Sequence, residues 1–277
     1  LNVACKYSLT SMPSAPIIWD KKNNKGKCKA LIVNSGNANA HTGVQGYKNI
    51  NKYTKELAKF LSCTHKDILV SSTGVIGEQL NVSYICKKIK KLSIASEKML
   101  IDAARAICTT DTFVKTSIHN LKVDKQNIKI YGFAKGSGMI NPNMGTMLSY
   151  IFIDCEIPSK ILKKLLSDNI EETFNSISVD SDTSTSDTVM LFANSINKIN
   201  VKSNYKKISN TLHKVMKELA MKIITDGEGI KKLIKVNVIK AKNKVQAKNI
   251  ASSIANSPLV KTAIASEDAN WGRVIMA

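Results

Sequence analysis

FVKTSIHNLKVDKQNIKIYGFAKGSGMINPNMGTMLSYIFID, residues 113–154, is the stretch whose reading decides the fold. Phe113–Ile118 and Ile128–Ala134 are rich in β-branched and aromatic residues and flank a polar turn at Asp124–Asn127, which predicts a β-hairpin. Thr146–Asp154 predicts a further strand, and a Gly/Asn/Ser-rich loop from Lys135 to Gly145 precedes it. Outward from this block, Lys29–Asn34, Asp67–Ser71 and Thr188–Ala193 read as short strands. Ile230–Ile239 alternates like a half-exposed strand, and Trp271–Ala277 is strand-like. Helical spacing covers Ile50–Leu61, Val82–Leu92, Ile94–Cys108, the run from Ser159 to about Phe174, and Val245–Ile254. The clearest amphipathic helix carries Ile208, Leu212, Val215, Met216, Leu219, Ala220 and Ile223. Strands and helices mix without an even βαβ rhythm. The expected class is α+β, with mixed and antiparallel sheets and packed helices.

The chain has 277 residues, enough to bury roughly three quarters of its unfolded surface without a disulfide or a structural metal. Lys and Arg number 41 against 21 Asp and Glu, a net charge of +20. Only Arg105 and Arg273 are arginines, and no basic run is interleaved with aromatics beyond Tyr205-Lys206-Lys207. Nucleic-acid readers need forked Arg and stacking rings on one surface, so this charge reads as solvated lysines and no nucleic-acid partner is expected. A basic nucleic-acid-binding protein stays as the alternative from another class. The longest strongly apolar run, Met147–Ile153, is too short to span a bilayer, and no membrane partner is expected. No HExxH and no close cysteine pairs occur, so no metal site is expected. The six cysteines read as mostly buried thiols in a reducing compartment.

Four loops are dense in Gly, Ser, Thr or Asn: Ser35–Gly43, Ser71–Gly77, Lys135–Thr146 and Asp226–Gly229. Such loops bring backbone N–H groups close to a ligand. None has the order of a P-loop or a dinucleotide fingerprint. Thr146 follows Gly145 and opens a strand, an arrangement that suits an N-terminal nucleophile.

The segments LIVNSGNANAHTG (31–43), LVSSTGVIGE (69–78), TTDTFVK (109–115), AKGSGMINPNMGTML (134–148), SVDSDTSTSDTV (178–189), DGEG (226–229), IANSPLVKTAI (254–264) and EDANWGR (267–273) resemble the ArgJ family in order and spacing. These are the glutamate N-acetyltransferases, also called ornithine acetyltransferases, of arginine biosynthesis. The resemblance implies an ArgJ-like (DmpA/ArgJ-like) fold and a cytoplasmic enzyme. It implies a precursor that cuts itself between Gly145 and Thr146. Residues 1–145 then correspond to the α chain and 146–277 to the β chain, each shortened at its outer end, in an α2β2 assembly. The family's last substrate contacts, near its natural C-terminus, have no counterpart here, and weak activity of this exact fragment is expected.

The resemblance implies that Thr146 is the nucleophile and that the acetyl group moves from N2-acetyl-L-ornithine to L-glutamate through an acetyl-threonine. Thr73 and Gly74 would stabilise the oxyanion. Thr109, Lys135, Thr146 and Glu228 would bind substrate: Lys135 the α-carboxylate, Glu228 the amino end of ornithine. Thr110 competes with Thr109 for its role. Ser35–Ala40 would shape the pocket floor. His41 stands where the family has Cys, and Asn141 where it often has Ala. No bound cofactor is expected; some members also accept acetyl-CoA, and no residue here separates those cases. A self-processing N-terminal-nucleophile amidohydrolase, which would release acetate, is the alternative enzyme.

Overall fold

The computed structural model describes residues 1–92, 99–141 and 147–277. Seven strands form two sheets among these residues. The larger sheet has the order β1 (Asn2–Tyr7), β7 (Thr188–Asn197), β6 (Leu148–Cys155), β5 (Gln126–Lys135), β4 (Lys115–Val123). β6 and β7 are parallel and the other neighbours antiparallel. The smaller sheet is a parallel pair, β2 (Ala30–Asn34) and β3 (Ile68–Ser72). The α+β expectation is met with both mixed and antiparallel pairing.

The β4–β5 hairpin turns tighter than the sequence suggests. Asp124 and Lys125 both take positive φ, 48° and 63°, and Val123 pairs directly with Gln126. Two central residues with φ > 0 match the right-handed twist of the flanking strands.

Strict alternation then sorts the larger sheet into two faces. Ile151 and Ile153 of β6 and Val189 and Leu191 of β7 pack against the apolar stripes of α5 (Ser159–Ile170) and α6 (Tyr205–Ile224). Tyr150 and Phe152 of β6, with Met190 and Phe192 of β7, pack against Leu31, Val33 and Leu69 of the small sheet. The outer face of that sheet, Ile68 and Val70, packs on α1 (Ala15–Asn23), α2 (Gly43–Leu61) and α3 (Val82–Ile89). The order of layers is helix, five-stranded sheet, two-stranded sheet, helix. Tyr131, Phe152 and Phe192 run across three strands as a stacked row, with ring centroids 5.3 and 5.0 Å apart. Each such pair adds about 0.5–1.5 kcal/mol to the area it buries.

α1 and β1 are among the elements the periodicity does not show. α1 closes the open edge of β3 with side chains. The Trp19 indole N–H donates to the Ile68 carbonyl at 3.0 Å, and the Asp20 carboxylate accepts from the Val70 amide at 2.9 Å. A strand edge thereby keeps its backbone groups satisfied inside the protein.

Two expected strands are absent. Ile230–Ile239 joins no ladder. Alternation makes a strand only beside a partner edge, and no described strand pairs with this segment. Residues 272–276 form a short helix, α9 (Gly272–Met276), with Trp271 and Ile275 both 77% exposed. An apolar run without a sheet edge closes its hydrogen bonds locally, as the Ala277 amide does on Arg273. α4 (Met99–Ala106), α7 (Lys244–Asn256) and α8 (Pro258–Ala265) fall within the expected helical segments or beside them. All six cysteines are free; Cys28 and Cys155 are buried and the other four half-buried. No helix among the described residues is long and apolar enough to cross a membrane.

The buried stripe of α6 and the exposed tail segment make a paired test. Leu212→Ala is expected to cost about 2–5 kcal/mol by urea denaturation. Leu233→Ala, at a site 56% exposed, should stay within about 0.5 kcal/mol of the unmodified chain. A loss at Leu233 as large as at Leu212 would mean that residues 230–239 carry a packing role absent here.

Candidate functional site

Register gathers the loops of interest at one end of the sheets. Lys115 opens β4 and pairs with Ala134, the last residue but one of β5. Lys135 ends β5 and pairs with Leu148, which opens β6; Leu148 pairs with Thr188, which opens β7; Thr188 pairs with Tyr7 at the end of β1. In the small sheet, Asn34 and Ser72 end the two strands side by side, and Thr73 and Gly74 follow.

Three of the residues expected at the site meet directly. The Lys135 ammonium donates to Thr109 Oγ1 at 2.6 Å and to Thr73 Oγ1 at 3.1 Å. Thr110 makes no such contact with Lys135. Lys135 is 3% exposed. Burial pushes its ammonium below the ordinary lysine range, against the pull of Asp111. Both its partners are neutral hydroxyls, and the third N–H of the ammonium has no partner among the described residues.

Gly74 sits with φ +129°, and a Cβ there would fall 2.2 Å from the Gly36 carbonyl carbon. The Thr73–Val75 segment therefore lies directly on Gly36–Ala38. The Val75 amide donates to Gly36 and the Ala38 amide to Val75. This is the contact expected if Ser35–Ala40 underlies the site. His41 and Asn39 both have positive φ, and His41 is exposed.

Glu228 lies beside the Lys135 loop. Its amide donates to the Ser137 carbonyl at 3.1 Å, and a Cβ on Gly138 would stand 2.9 Å from the Glu228 carboxyl carbon. Gly145 and Thr146 lie outside the described residues. The chain is anchored on either side of them. The Asn141 amide side chain donates to the Ser181 carbonyl at 2.6 Å, and the Met147 amide to Asp187 Oδ1 at 2.9 Å. Asp180 accepts from the amides of Met139 and Ile140. Burial pushes the Asp187 carboxyl well above the usual carboxylate range, against the Met147 hydrogen bond.

Sequence reasoning passed over five residues that the structure puts here: Asp111, Lys115, Asp180, Asp187 and Asp226. Lys115 is fully buried and bridges Asp111 Oδ1 at 2.6 Å and Asp226 Oδ2 at 2.5 Å. Burial alone would raise both carboxyls, yet hydrogen bonds from Lys115 and nearby amides hold them below the usual range. All five stood inside quoted motifs; the missed signal was the acids that open and close DSDTSTSD, Asp180 and Asp187, and the Asp-x3-Lys step from Asp111 to Lys115. Two open depressions, of about 660 and 370 Å³, lie elsewhere, at Lys55–Lys66 and at Glu156–Lys202. No cluster of three or more His, Cys, Asp or Glu able to hold a metal occurs among the described residues.

The arrangement offers a buried cation between two hydroxyls, a carboxylate close to the same loop, and close backbone approach at a glycine. That set can hold a small zwitterion and present donors to a developing anion.

The profile of the ArgJ family matches residues 1–277. The chain is 45% identical over 285 residues to the arginine biosynthesis bifunctional protein ArgJ of Bradyrhizobium diazoefficiens, covering 99% of this chain and 69% of that protein. It resembles the crystal structure of the Bacillus halodurans arginine biosynthesis bifunctional protein argJ at 34% identity and a TM-score of 0.48, over 52% of this chain and 75% of that one. The PH0078 protein of Pyrococcus horikoshii shares the fold, with a TM-score of 0.50 at 9% identity over 82% of this chain and 73% of that one.

Two substitutions test the geometry. Gly74→Ala sets a side chain on backbone and is expected to cost about 1–3 kcal/mol by urea denaturation; no loss would mean that segments 36–38 and 73–75 part freely. Asp226→Asn removes one of two carboxylates from a buried cation and should cost about 3 kcal/mol at neutral pH. Because the folded carboxyl titrates below its unfolded value, that contribution is full above about pH 5 and is lost as pH falls through the folded value. The stability gap between the unmodified chain and Asp226→Asn should therefore shrink toward acid in urea titrations; a gap that widens would reverse the sign.

Proposed function

The chain belongs to the ArgJ family, and from that premise we infer how its residues divide the work. Its activity is that of a glutamate N-acetyltransferase and ornithine acetyltransferase. The observation that carries the residue assignment is the meeting of Lys135, Thr73 and Thr109 at one end of the sheets, beside the Gly74 approach and Glu228.

Thr146 is the proposed nucleophile, freed by cleavage after Gly145. In that cleavage its hydroxyl attacks the preceding carbonyl carbon, the amide becomes an ester, and water hydrolyses the ester. The α-amine so released titrates at about 8 as a free group, low enough to accept the hydroxyl proton near neutrality. Thr146 Oγ then attacks the acetyl carbonyl of N2-acetyl-L-ornithine. The C–N bond breaks, the ornithine amine leaves with the proton, and an acetyl ester stays on the threonine. The amine of L-glutamate attacks that ester, and the threonine oxygen regains its proton. Thr73 and Gly74 are the proposed donors to both oxyanions; such donors contribute about 3–4 kcal/mol each to the transition state.

Lys135, with one N–H free of partners among the described residues, is assigned the α-carboxylate common to both substrates. Thr109 shares that ammonium and lines the same place, and Glu228 takes the cationic end of ornithine. Residues 1–145 and 146–277 are the proposed α and β segments of an α2β2 assembly. The same Thr146 hydroxyl is where acetyl-CoA would deliver an acetyl group as a second donor, with no resident cofactor.

The test is the intact mass, under denaturing conditions, of the whole gene product and of its Thr146→Ala variant. Two pieces meeting at Gly145/Thr146 in the former and one uncut chain in the latter are expected. An uncut unmodified chain that still transfers acetyl would remove Thr146 from the nucleophile's place.

A further inference from the structure

Lys115 is a fully buried cation near the site, and the reaction as read does not touch it. Its side chain and that of Asp111 are wholly inaccessible, and that of Asp226 is 3% exposed. The ammonium also lies 4.8 Å from the centre of the Phe113 ring. Each carboxylate it bridges holds a different piece of the site. Asp111 accepts from the Gly136 amide at 2.8 Å, next to Lys135, and from the Thr109 amide at 3.1 Å. Asp226 accepts from the amide and hydroxyl of Thr112, while its own carbonyl accepts from the Ser137 hydroxyl at 2.6 Å. The segments bearing Thr109, Lys135 and Glu228 thus converge on one cation.

The second consequence is electrostatic. Asp111 is the carboxylate that acts most strongly on Lys135, yet among the described residues Lys135 donates only to hydroxyls. Asp111 is already engaged at both oxygens: Lys115 and Gly136 at Oδ1, Thr109 at Oδ2. Remove Lys115, and the Lys135 ammonium faces an uncompensated buried carboxylate one residue from its own backbone. An opposite charge in a site of low dielectric outcompetes neutral hydroxyls.

We propose that Lys115 is a positioning residue for substrate recognition: by neutralising Asp111 and Asp226 it keeps the Lys135 ammonium on Thr73 and Thr109, free to take a substrate carboxylate. The inference rests on the reading of Lys135 as the carboxylate-binding cation.

Steady-state transfer from N2-acetylornithine to glutamate by the whole gene product tests it. Lys115→Met is expected to raise KM for both substrates about tenfold or more, with a smaller fall in kcat per folded molecule. Adding Asp111→Asn should bring KM back to within about threefold of the unmodified enzyme, since an amide still accepts from Gly136 but no longer draws Lys135 away. An unchanged KM in Lys115→Met, or a raised KM that Asp111→Asn does not lower, would overturn the proposal. If the single variant does not fold, the double variant carries the test, and a KM raised about tenfold there overturns it. Lys135→Met is the control: an unchanged KM in that variant would overturn the reading of Lys135 itself, whatever Lys115 does.

Discussion

The central strands of the five-stranded sheet, β6 and β7, are buried on both faces, and that constraint arranges the rest of the site. β6 and β7 must present apolar side chains upward and downward in turn: Tyr150 and Phe152 to the small sheet, Ile151 and Ile153 to α5 and α6. A strand so enclosed leaves little room along its length for polar chemistry, because an unpaired polar group in either core would cost several kcal/mol, roughly 2–7 by transfer estimates. Chemistry is pushed to the strand ends. The register then decides which ends coincide, and it brings the start of β4, the end of β5 and the starts of β6 and β7 to one edge.

At that edge the protein holds charges that water cannot reach. Lys115, Asp111 and Asp226 form a bridged group, and with Lys135 these four charges sum to zero. Taking such charges out of water is unfavourable by itself, so they persist only where geometry and extra hydrogen bonds satisfy them. Amides of Thr109, Thr112 and Gly136 supply those bonds. The requirement works in both directions. The loops satisfy the charges, and the charges leave the loops one arrangement. Lys135 is the exception that gives the edge its use, since it is buried beside hydroxyls with no carboxylate of the described residues bonded to it.

How far the sequence foretells this depends on whether a residue's signal is periodic or positional. α6 was legible because seven apolar residues repeat at helical spacing, and all seven are buried. The hairpin was legible from two β-rich runs around a polar turn. α1 was not, because its inward residues include Trp19 and Asp20, whose task is to bond a strand edge; polar contacts of that kind leave no apolar stripe. Ile230–Ile239 misled for the opposite reason: its alternation is real but meets no strand. Among the candidate site residues, Thr73, Gly74 and Lys135 stood out through the small residues around them. Lys115 did not, because one lysine among so many looks the same until burial is known.

The glycines of the site loops explain why composition pointed there at all. Gly74 has no side chain because Gly36 occupies the space where one would be. Gly138 has none because the Glu228 carboxylate lies 2.9 to 3.0 Å from where its Cβ would stand. The short loop after β5 therefore carries a cation at Lys135 and makes room for an anion three residues on. A free amino acid with a second amine bears those two charges in reverse, a carboxylate at one end and an ammonium at the other. Opposite charges brought to one loop from distant parts of the sequence, Lys135 and Glu228, would ordinarily pair with each other and leave nothing for a ligand. Here the ammonium turns to Thr73 and Thr109, while the carboxylate packs over a glycine, so neither satisfies the other. The loop stays polarised because its small residues let two backbones and a carboxylate approach without a side chain between them. Glycine in this chain is thus less a source of flexibility than a means of holding opposite charges near each other and apart.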